Sequence, residues 1–334
     1  MLYKITKFFL FLLPPEFSHN FSLYILKFLN FLNLVRRVDV PEESSFKFKD
    51  INFKNKIGLA AGFDKNAEFI DLFQNLGFGF IEIGTVTPKP QSGNAKPRVH
   101  RDIKKEALIN SFGFNNIGVE RFIENVKKVN RRAVIGINIG KNALTPYDNS
   151  IDDYVFCMRK VYEYADYLTI NISSPNTKNL RNLHDINQLT TFLNAINQER
   201  KLLEDSTKKL IPFFVKLSPD IDDSDINPII NLLITKKIDG VILTNTTIDK
   251  NLVSNKYKNL PGGISGSPLR RRSEFLLSEV KKIAKDNLII ISVGGIMSVE
   301  DAKKRINLGA DLIQIYSALI YKGPNIVNEI RRSI

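Results

Sequence analysis

Short apolar runs recur along most of the chain, separated by amphipathic stretches of helical length. They are IGLAA (57–61), GFIEIG (79–84), AVIGINI (133–139), DYLTINI (166–172), PFFVKL (212–217), DGVILT (239–244), LIIISVG (288–294) and DLIQIY (311–316). Continuous rather than alternating apolar character predicts parallel strands covered on both faces, and eight strands alternating with helices predict a closed (β/α)₈ barrel of the α/β class. An open doubly wound sheet is the rival, but no G-x-G-x-x-G follows the first run, and GFGF at 77–80 reads as a helix-to-strand turn. Ahead of the first run, FKFKDINFKN alternates apolar and polar residues around a turn and predicts a two-stranded ribbon. VDVPEESS before it reads as a linker.

The N-terminal stretch has a different pattern. Its longest unbroken apolar run, Phe8 to Leu13, is far too short for the roughly 20 residues a membrane-spanning helix needs. Lys4, Lys7 and that run imitate a signal peptide, yet no small-residue cleavage site follows. At helical spacing, Phe21, Tyr24, Ile25, Phe28, Leu29, Phe31, Leu32 and Val35 form a wide apolar arc opposite Asn20, Lys27, Asn30, Asn33 and Arg37. Pro14 and Pro15 end one helix and open the next. The two-helix unit suits either a membrane interface or packing against the barrel. The domains read as 1–40, a helical membrane-association segment, and 41–334, the barrel.

Composition adds two constraints. With 334 residues, 43% of them apolar and 25% charged, the chain can bury a large core in one barrel. A formal charge of +13 is compatible with a solvated basic surface, a nucleic acid, an anionic membrane or a small anionic ligand. Cys157 is the only cysteine, which excludes an internal disulfide, and in YVFCMRKVYEYA it reads as a small buried hydrophobe.

The chemistry gathers where the runs end: Gly62 to Lys65, Thr85, Asn138, Asn171, Lys216, Thr244 to Thr246, Gly294 with Gly295, and Tyr316 with Ser317. A barrel carries all of these to its carboxyl-end face, the active-site face of such folds. No His, Cys, Asp or Glu cluster has metal-ligand spacing, so no metal is expected. Glycines after the last two strands suit a phosphate. Asn138, Asn171, Lys216 and Thr244 could hydrogen-bond the edge of a flat heterocycle, as flavin mononucleotide (FMN) presents. An aldolase-like site using Lys216 or Lys65 as a Schiff-base amine remains open on these residues alone, with Asp64 the only evident acidic neighbour of either lysine.

GLAAGFDKNAE, EIGTVTPKPQSGNAKPR, LINSFGFNN, INISSPNT, VKLSPD, LTNTT, GGISGSPL, SVGGI and IQIYSALIYKGP, in this order, resemble the dihydroorotate dehydrogenases across nearly the whole chain. With the N-terminal extension, the likeness is to the quinone-dependent, membrane-associated class 2 branch. The resemblance implies oxidation of (S)-dihydroorotate to orotate in de novo pyrimidine biosynthesis, with FMN as hydride acceptor and a membrane quinone as final oxidant. It assigns FMN to Ala61, Gly62, Phe63, Asp64, Lys65, Thr85, Asn138, Asn171, Lys216, Thr244, Gly266, Gly295, Tyr316 and Ser317. It assigns substrate to Lys65, Asn110, Ser111, Phe112, Gly113, Phe114, Asn171, Asn176, Asn245 and Thr246.

By the same resemblance Ser174 is the base that removes the C5 proton, where the soluble class 1 enzymes generally have cysteine. His19 and Arg101 fall at the quinone site, the N-terminal helices forming a tunnel toward the flavin. His100 and His184 are expected at the surface, and NTKNLRNLHD (176–185) as a lid. Ser111 and Phe112 stand where relatives often carry larger or charged residues. The chain is expected to act as a monomer, peripheral on the cytoplasmic face of a bacterial inner membrane, without a nucleic acid partner. Lys4, Lys7, Lys27, Arg36 and Arg37 could meet anionic lipid. A transfer-RNA dihydrouridine synthase and a non-enzymatic membrane-peripheral barrel are the alternatives.

Overall fold

The computed structural model describes residues 2–35, 37–39, 45–178 and 180–334. The boundary drawn at residue 40, most of the expected linker, Arg36 and Asn179 of the expected lid lie outside the described residues.

Helices α1 (Leu2–Leu12) and α2 (Pro15–Phe31) come first, followed by a hairpin of β1 (Phe46–Phe48) and β2 (Ile51–Phe53). The chain continues through β3 (Ile57–Leu59), α3 (Ile70–Asn75), β4 (Phe80–Val86), β5 (Val99–Asp102), β6 (Ala107–Asn110), α4 (Val119–Lys127), β7 (Val134–Ile139), α5 (Ser150–Val161) and β8 (Tyr167–Asn171). It goes on with α6 (Ile186–Thr207), β9 (Phe213–Leu217), α7 (Asp223–Thr235), β10 (Gly240–Leu243), β11 (Gly263–Gly266), α8 (Arg270–Ala284), β12 (Ile289–Val293) and α9 (Val299–Asn307). β13 (Leu312–Ile315), α10 (Ser317–Lys322) and α11 (Asn325–Arg331) complete it.

Strands β3, β4, β7, β8, β9, β10, β12 and β13 pair in parallel in that order, and β13 returns to β3, so the barrel is closed. Each coincides with one of the eight apolar runs. At the amino ends, Phe80, Tyr167 and Phe214 fill the interior, and the β1–β2 hairpin adds Phe53 beneath them, 5.4 Å from Phe80. Neighbouring strands accommodate these rings with glycine: a Cβ on Gly136 would lie 2.0 Å from the Tyr167 ring. Cys157 is fully buried between barrel and helices, as expected for a small hydrophobe.

A second sheet was not foreseen from the sequence. β5, β6 and β11 pair antiparallel in the order β11-β6-β5, bringing the segment after β6 beside the segment after β10. Its strands come from insertions in two distant βα connections, each too short to show a period of its own. Across its surface lies the α1–α2 hairpin. Tyr3 donates to the Leu319 and Ile320 carbonyls at 3.2 and 2.7 Å, and Lys7 to that of Tyr321 at 3.0 Å, so α1 is tied to the end of α10. The Glu16 carboxylate meets the Arg98 guanidinium at 2.7 Å.

Candidate active site

The loops at the carboxyl ends of the barrel strands enclose one deep cavity with about 1010 Å³ of non-atom space, its open mouth included. Ala61, Gly62, Lys65, Thr85, Asn171, Lys216, Thr244, Gly266, Gly295, Tyr316 and Ser317 line it, as do Asn110, Phe112, Gly113, Phe114, Ser174, Asn176, Asn245 and Thr246. Sequence reasoning missed Pro175, Ser265, Leu269, Met297 and Gln314 on its wall. Phe63, Asp64, Ser111 and Asn138 do not line it.

Asn138 lies beneath the floor. Its Oδ1 accepts from Thr85 Oγ1 at 2.6 Å and from Asn171 Nδ2 at 3.1 Å, while its Nδ2 donates to Glu82 Oε1 at 2.7 Å. Glu82 is fully buried and also accepts from Gln314 Nε2 at 2.7 Å and Tyr167 OH at 3.3 Å. Its carboxylate is the anion facing Lys216, 3.8 Å away. The expectation that only Asp64 neighbours a site lysine is therefore corrected on two counts. Lys216 has Glu82, hidden in the run GFIEIG, and Asp64 instead accepts the Glu68 and Phe69 N–H groups at 2.9 and 2.8 Å to shape the loop behind Lys65. Burial pushes Asp64 up to about 6.

Lys216 is buried, and among the described residues no hydrogen bond reaches its ammonium. Burial lowers its pKa against the opposing pull of Glu82. Gln314 Oε1, on the same floor, has no hydrogen-bond partner among the described residues. Two residues of the cavity lining thus carry a buried donor and a buried acceptor without hydrogen bonds among the described residues, an arrangement that costs stability unless a ligand completes it.

Lys65 has a different setting. Its ammonium donates to the Gly62 carbonyl at 2.8 Å and sits 4.1 Å above the Phe112 ring. Burial lowers its pKa to about 8, partly offset by Glu16. The segment 110–114 is held by backbone pairing with 91–98: Asn94 N–H donates to the Phe112 carbonyl at 3.0 Å and Ser111 N–H to that of Arg98 at 2.9 Å. The Ser111 backbone belongs to this support, and the residue does not line the cavity.

The loop after β8 delivers Ser174, nearly buried, to the cavity wall. Its Oγ accepts from the Asn176 N–H at 3.3 Å. Asn176 Nδ2 donates to Asn110 O at 3.2 Å, and Asn245 Nδ2 to Ser173 Oγ at 3.0 Å, so these amides crowd one end of the pocket. Gly263 permits that crowding, since a Cβ there would stand 1.9 Å from Thr246 Oγ1. Among the described residues, no imidazole or carboxylate is hydrogen-bonded to Ser174, so the arrangement is not a catalytic triad.

His19 stacks edge-on against Phe63 at 4.8 Å, and Phe63 against Tyr316 at 5.0 Å, a chain of rings running from α2 to the cavity wall. Burial drives the His19 pKa down to about 3, so the imidazole is neutral. The Arg101 guanidinium donates to the carbonyls of Leu10, Phe11 and Leu13 at the end of α1 and lies 4.4 Å over the Phe11 ring. His184 is not the free surface residue expected, because its ring bridges the Arg181 carbonyl and the Ser218 N–H. Among the described residues, no group of three His, Cys, Asp or Glu could hold a metal ion.

The family model of dihydroorotate dehydrogenase matches residues 44–334. A dihydroorotate dehydrogenase (quinone) of Methylobacillus flagellatus is 46% identical, with all of both chains covered, and one of Pseudoalteromonas atlantica is likewise 46% identical over all of both chains. A crystal structure of DHODH in complex with ferulenol from Eimeria tenella superimposes with a TM-score of 0.87 at 35% identity, over 96% of this chain and 90% of that one. The cavity at the carboxyl-end face, its amide cluster and these similarities together place the chain in the dihydroorotate dehydrogenase family.

Proposed function

We propose that the chain oxidises (S)-dihydroorotate to orotate in pyrimidine biosynthesis and delivers the electrons to a quinone. The observation that carries this reading is the cavity whose lining brings together Ser174, Asn110, Asn171, Asn176 and Asn245 with the buried cation of Lys65. A dihydropyrimidine carboxylate needs a cation for its carboxylate and paired amides for its imide edge, and this set offers both.

The residues fit flavin mononucleotide. The Lys216 ammonium, ion-paired to Glu82 but without a hydrogen bond among the described residues, and the Gln314 amide both belong to the cavity lining, and a flavin ring edge carries both acceptors and a donor. Ala61, Gly62, Thr85, Asn171, Lys216 and Thr244 would hold the ring, with Asn138 bracing them from below and Phe63, Asp64 and Lys65 shaping the loop beside it. Gly266, Gly295, Tyr316 and Ser317 would hold the phosphate, Gly295 at a φ of 75° that favours glycine. When bound, FMN supplies the acceptor for the hydride leaving C6 and passes the electrons on to the quinone.

Ser174 takes the C5 proton. A hydroxyl is a weak base in water, so the step depends on exclusion of water when substrate fills the cavity and on a route onward for the hydroxyl proton. Lys65 anchors the substrate carboxylate, and Ser111, Phe112, Gly113 and Phe114 shape the wall around it. The quinone approaches along the His19–Phe63–Tyr316 rings, with Arg101 fixing the end of α1 beside that path.

The hairpin is the membrane contact. Phe8, Phe9, Leu12, Phe17, Phe28 and Phe31 are all more than half exposed, a concentration of aromatic surface that water does not favour. No helix among the described residues is long and apolar enough to cross a membrane. The attachment is peripheral, on the cytoplasmic face of a bacterial inner membrane. The chain acts as a monomer.

The test is direct. Purified protein should be yellow, bleach anaerobically on adding dihydroorotate, and recover its colour on adding a short-chain quinone. Colourless protein, or failure to bleach together with tight transfer-RNA binding, would overturn the reading.

A further inference from the structure

The connection between β8 and α6 carries Ser174, and one side chain ties it to its neighbours. Arg181 Nε donates to the Ser173 carbonyl at 3.0 Å, one residue before Ser174. Its Nη1 donates to Asp220 Oδ2 at 2.7 Å, on the loop after β9, and its Nη2 to the Thr246 carbonyl at 2.8 Å, on the loop after β10. Asp220 is itself fixed, accepting from Thr247 Oγ1 and from the Ile248 N–H at 2.9 Å. A single planar guanidinium thus joins three active-site loops through bonds in fixed relative directions, which an ammonium cannot reproduce.

His184 completes the tie from the other side. Its Nε2 lies 3.4 Å from the Ser218 N–H and its Nδ1 2.9 Å from the Arg181 carbonyl. The amide can only donate, so the proton resides on Nδ1, which donates to that carbonyl. Burial lowers the ring's pKa to about 4, so this neutral tautomer persists at physiological pH. Arg181 and Asp220 touch neither of the hydroxyls in the amide cluster, and neither lines the cavity.

We propose that Arg181, clamped by Asp220 and steadied by His184, is the positioning residue that sets Ser174 against the substrate's C5–H. The inference rests on the reading of Ser174 as base. Both the Ser173 carbonyl and the Thr246 carbonyl would lose a partner if the guanidinium left, so the Ser174 hydroxyl and the substrate-contacting Asn245–Thr246 pair would lose their common reference. Misplacing a base by about an ångström costs about 100-fold in rate. Asn171, Lys216 and Thr244 leave the same strands but are fixed by their own bonds and by the barrel, and Ala61, Gly62, Thr85, Gly266 and Gly295 hold the flavin from elsewhere, so flavin retention and the quinone side should not respond.

Single-turnover bleaching by saturating dihydroorotate, measured on FMN-loaded wild type, Arg181→Ala, Arg181→Lys and Asp220→Asn, separates the possibilities. Arg181→Ala is expected to bleach about 100-fold more slowly, Arg181→Lys and Asp220→Asn about tenfold, with FMN content and quinone reoxidation unchanged. Deuterium at C5 should slow Arg181→Ala more than wild type, and added guanidinium ion should restore part of its rate. Bleaching within twofold of wild type, or loss of FMN and quinone turnover in parallel, would overturn the proposal. If Arg181→Ala does not fold, the same criteria apply to the other two variants. Wild type that does not bleach at all would instead overturn the proposed function.

Discussion

Among the described residues, Ser174 accepts one hydrogen bond, from the Asn176 N–H, and has no basic partner. Ser174→Ala should therefore slow flavin bleaching by about 100-fold or more with FMN still bound, while Ser174→Cys keeps partial activity; anaerobic stopped-flow absorbance checks both. Lys65 gives a pH signature. Its charged form is the one that holds a carboxylate, and burial lowers its pKa to about 8. As pH rises through about 8 the free chain loses that cation, so kcat/KM for dihydroorotate should fall while kcat at saturation falls less; a steady-state pH profile that stays flat to pH 10 would contradict this. Asn171, Lys216 and Thr244 were legible in the sequence because each is a polar residue ending an apolar run. Glu82 was not, because the carboxylate sits within a run and only closure of the barrel turns it toward Lys216. Arg181 was hidden for the same reason: its three acceptors come from segments far apart in the chain.

Among the elements, the eight barrel strands were readable as runs, and the prolines at 14 and 15 did divide two helices. The β5–β6–β11 sheet was not readable, and it is what couples the hairpin to the substrate side. Glu16, in the first turn of α2, holds Arg98, whose Nη1 also donates to the Ser92 and Asn94 carbonyls at 2.6 and 3.0 Å, and Asn94 in turn holds Phe112. Glu16→Gln leaves a buried guanidinium without its anion, and should raise KM for dihydroorotate about threefold to tenfold, with kcat little changed. Deleting residues 1–37 should produce the same rise and also abolish quinone reduction, while bleaching by substrate continues. Equal loss of both half-reactions would contradict the role given to the hairpin.

For the whole molecule, a formal charge of +13 and an exposed aromatic hairpin act together. Lys4, Lys7, Lys27 and Arg37 stand on or next to that hairpin, so cosedimentation with anionic vesicles should weaken as salt rises, yet not vanish, because the apolar contact is not screened. Binding that ignores both salt and lipid charge would leave the basic excess unexplained. The far end of the barrel imposes a different rule. Phe53, Phe80, Tyr167 and Phe214 close it, with the β1–β2 hairpin as a stopper. The amino end of the barrel is thus sealed, and reductant and oxidant must both be served from the opposite, carboxyl-end half of the molecule. Whatever leaves on one side of the ring must do so without a through-channel to flush it. Turnover is expected to alternate: product of the first exchange leaves before the second completes, giving parallel lines in double-reciprocal plots.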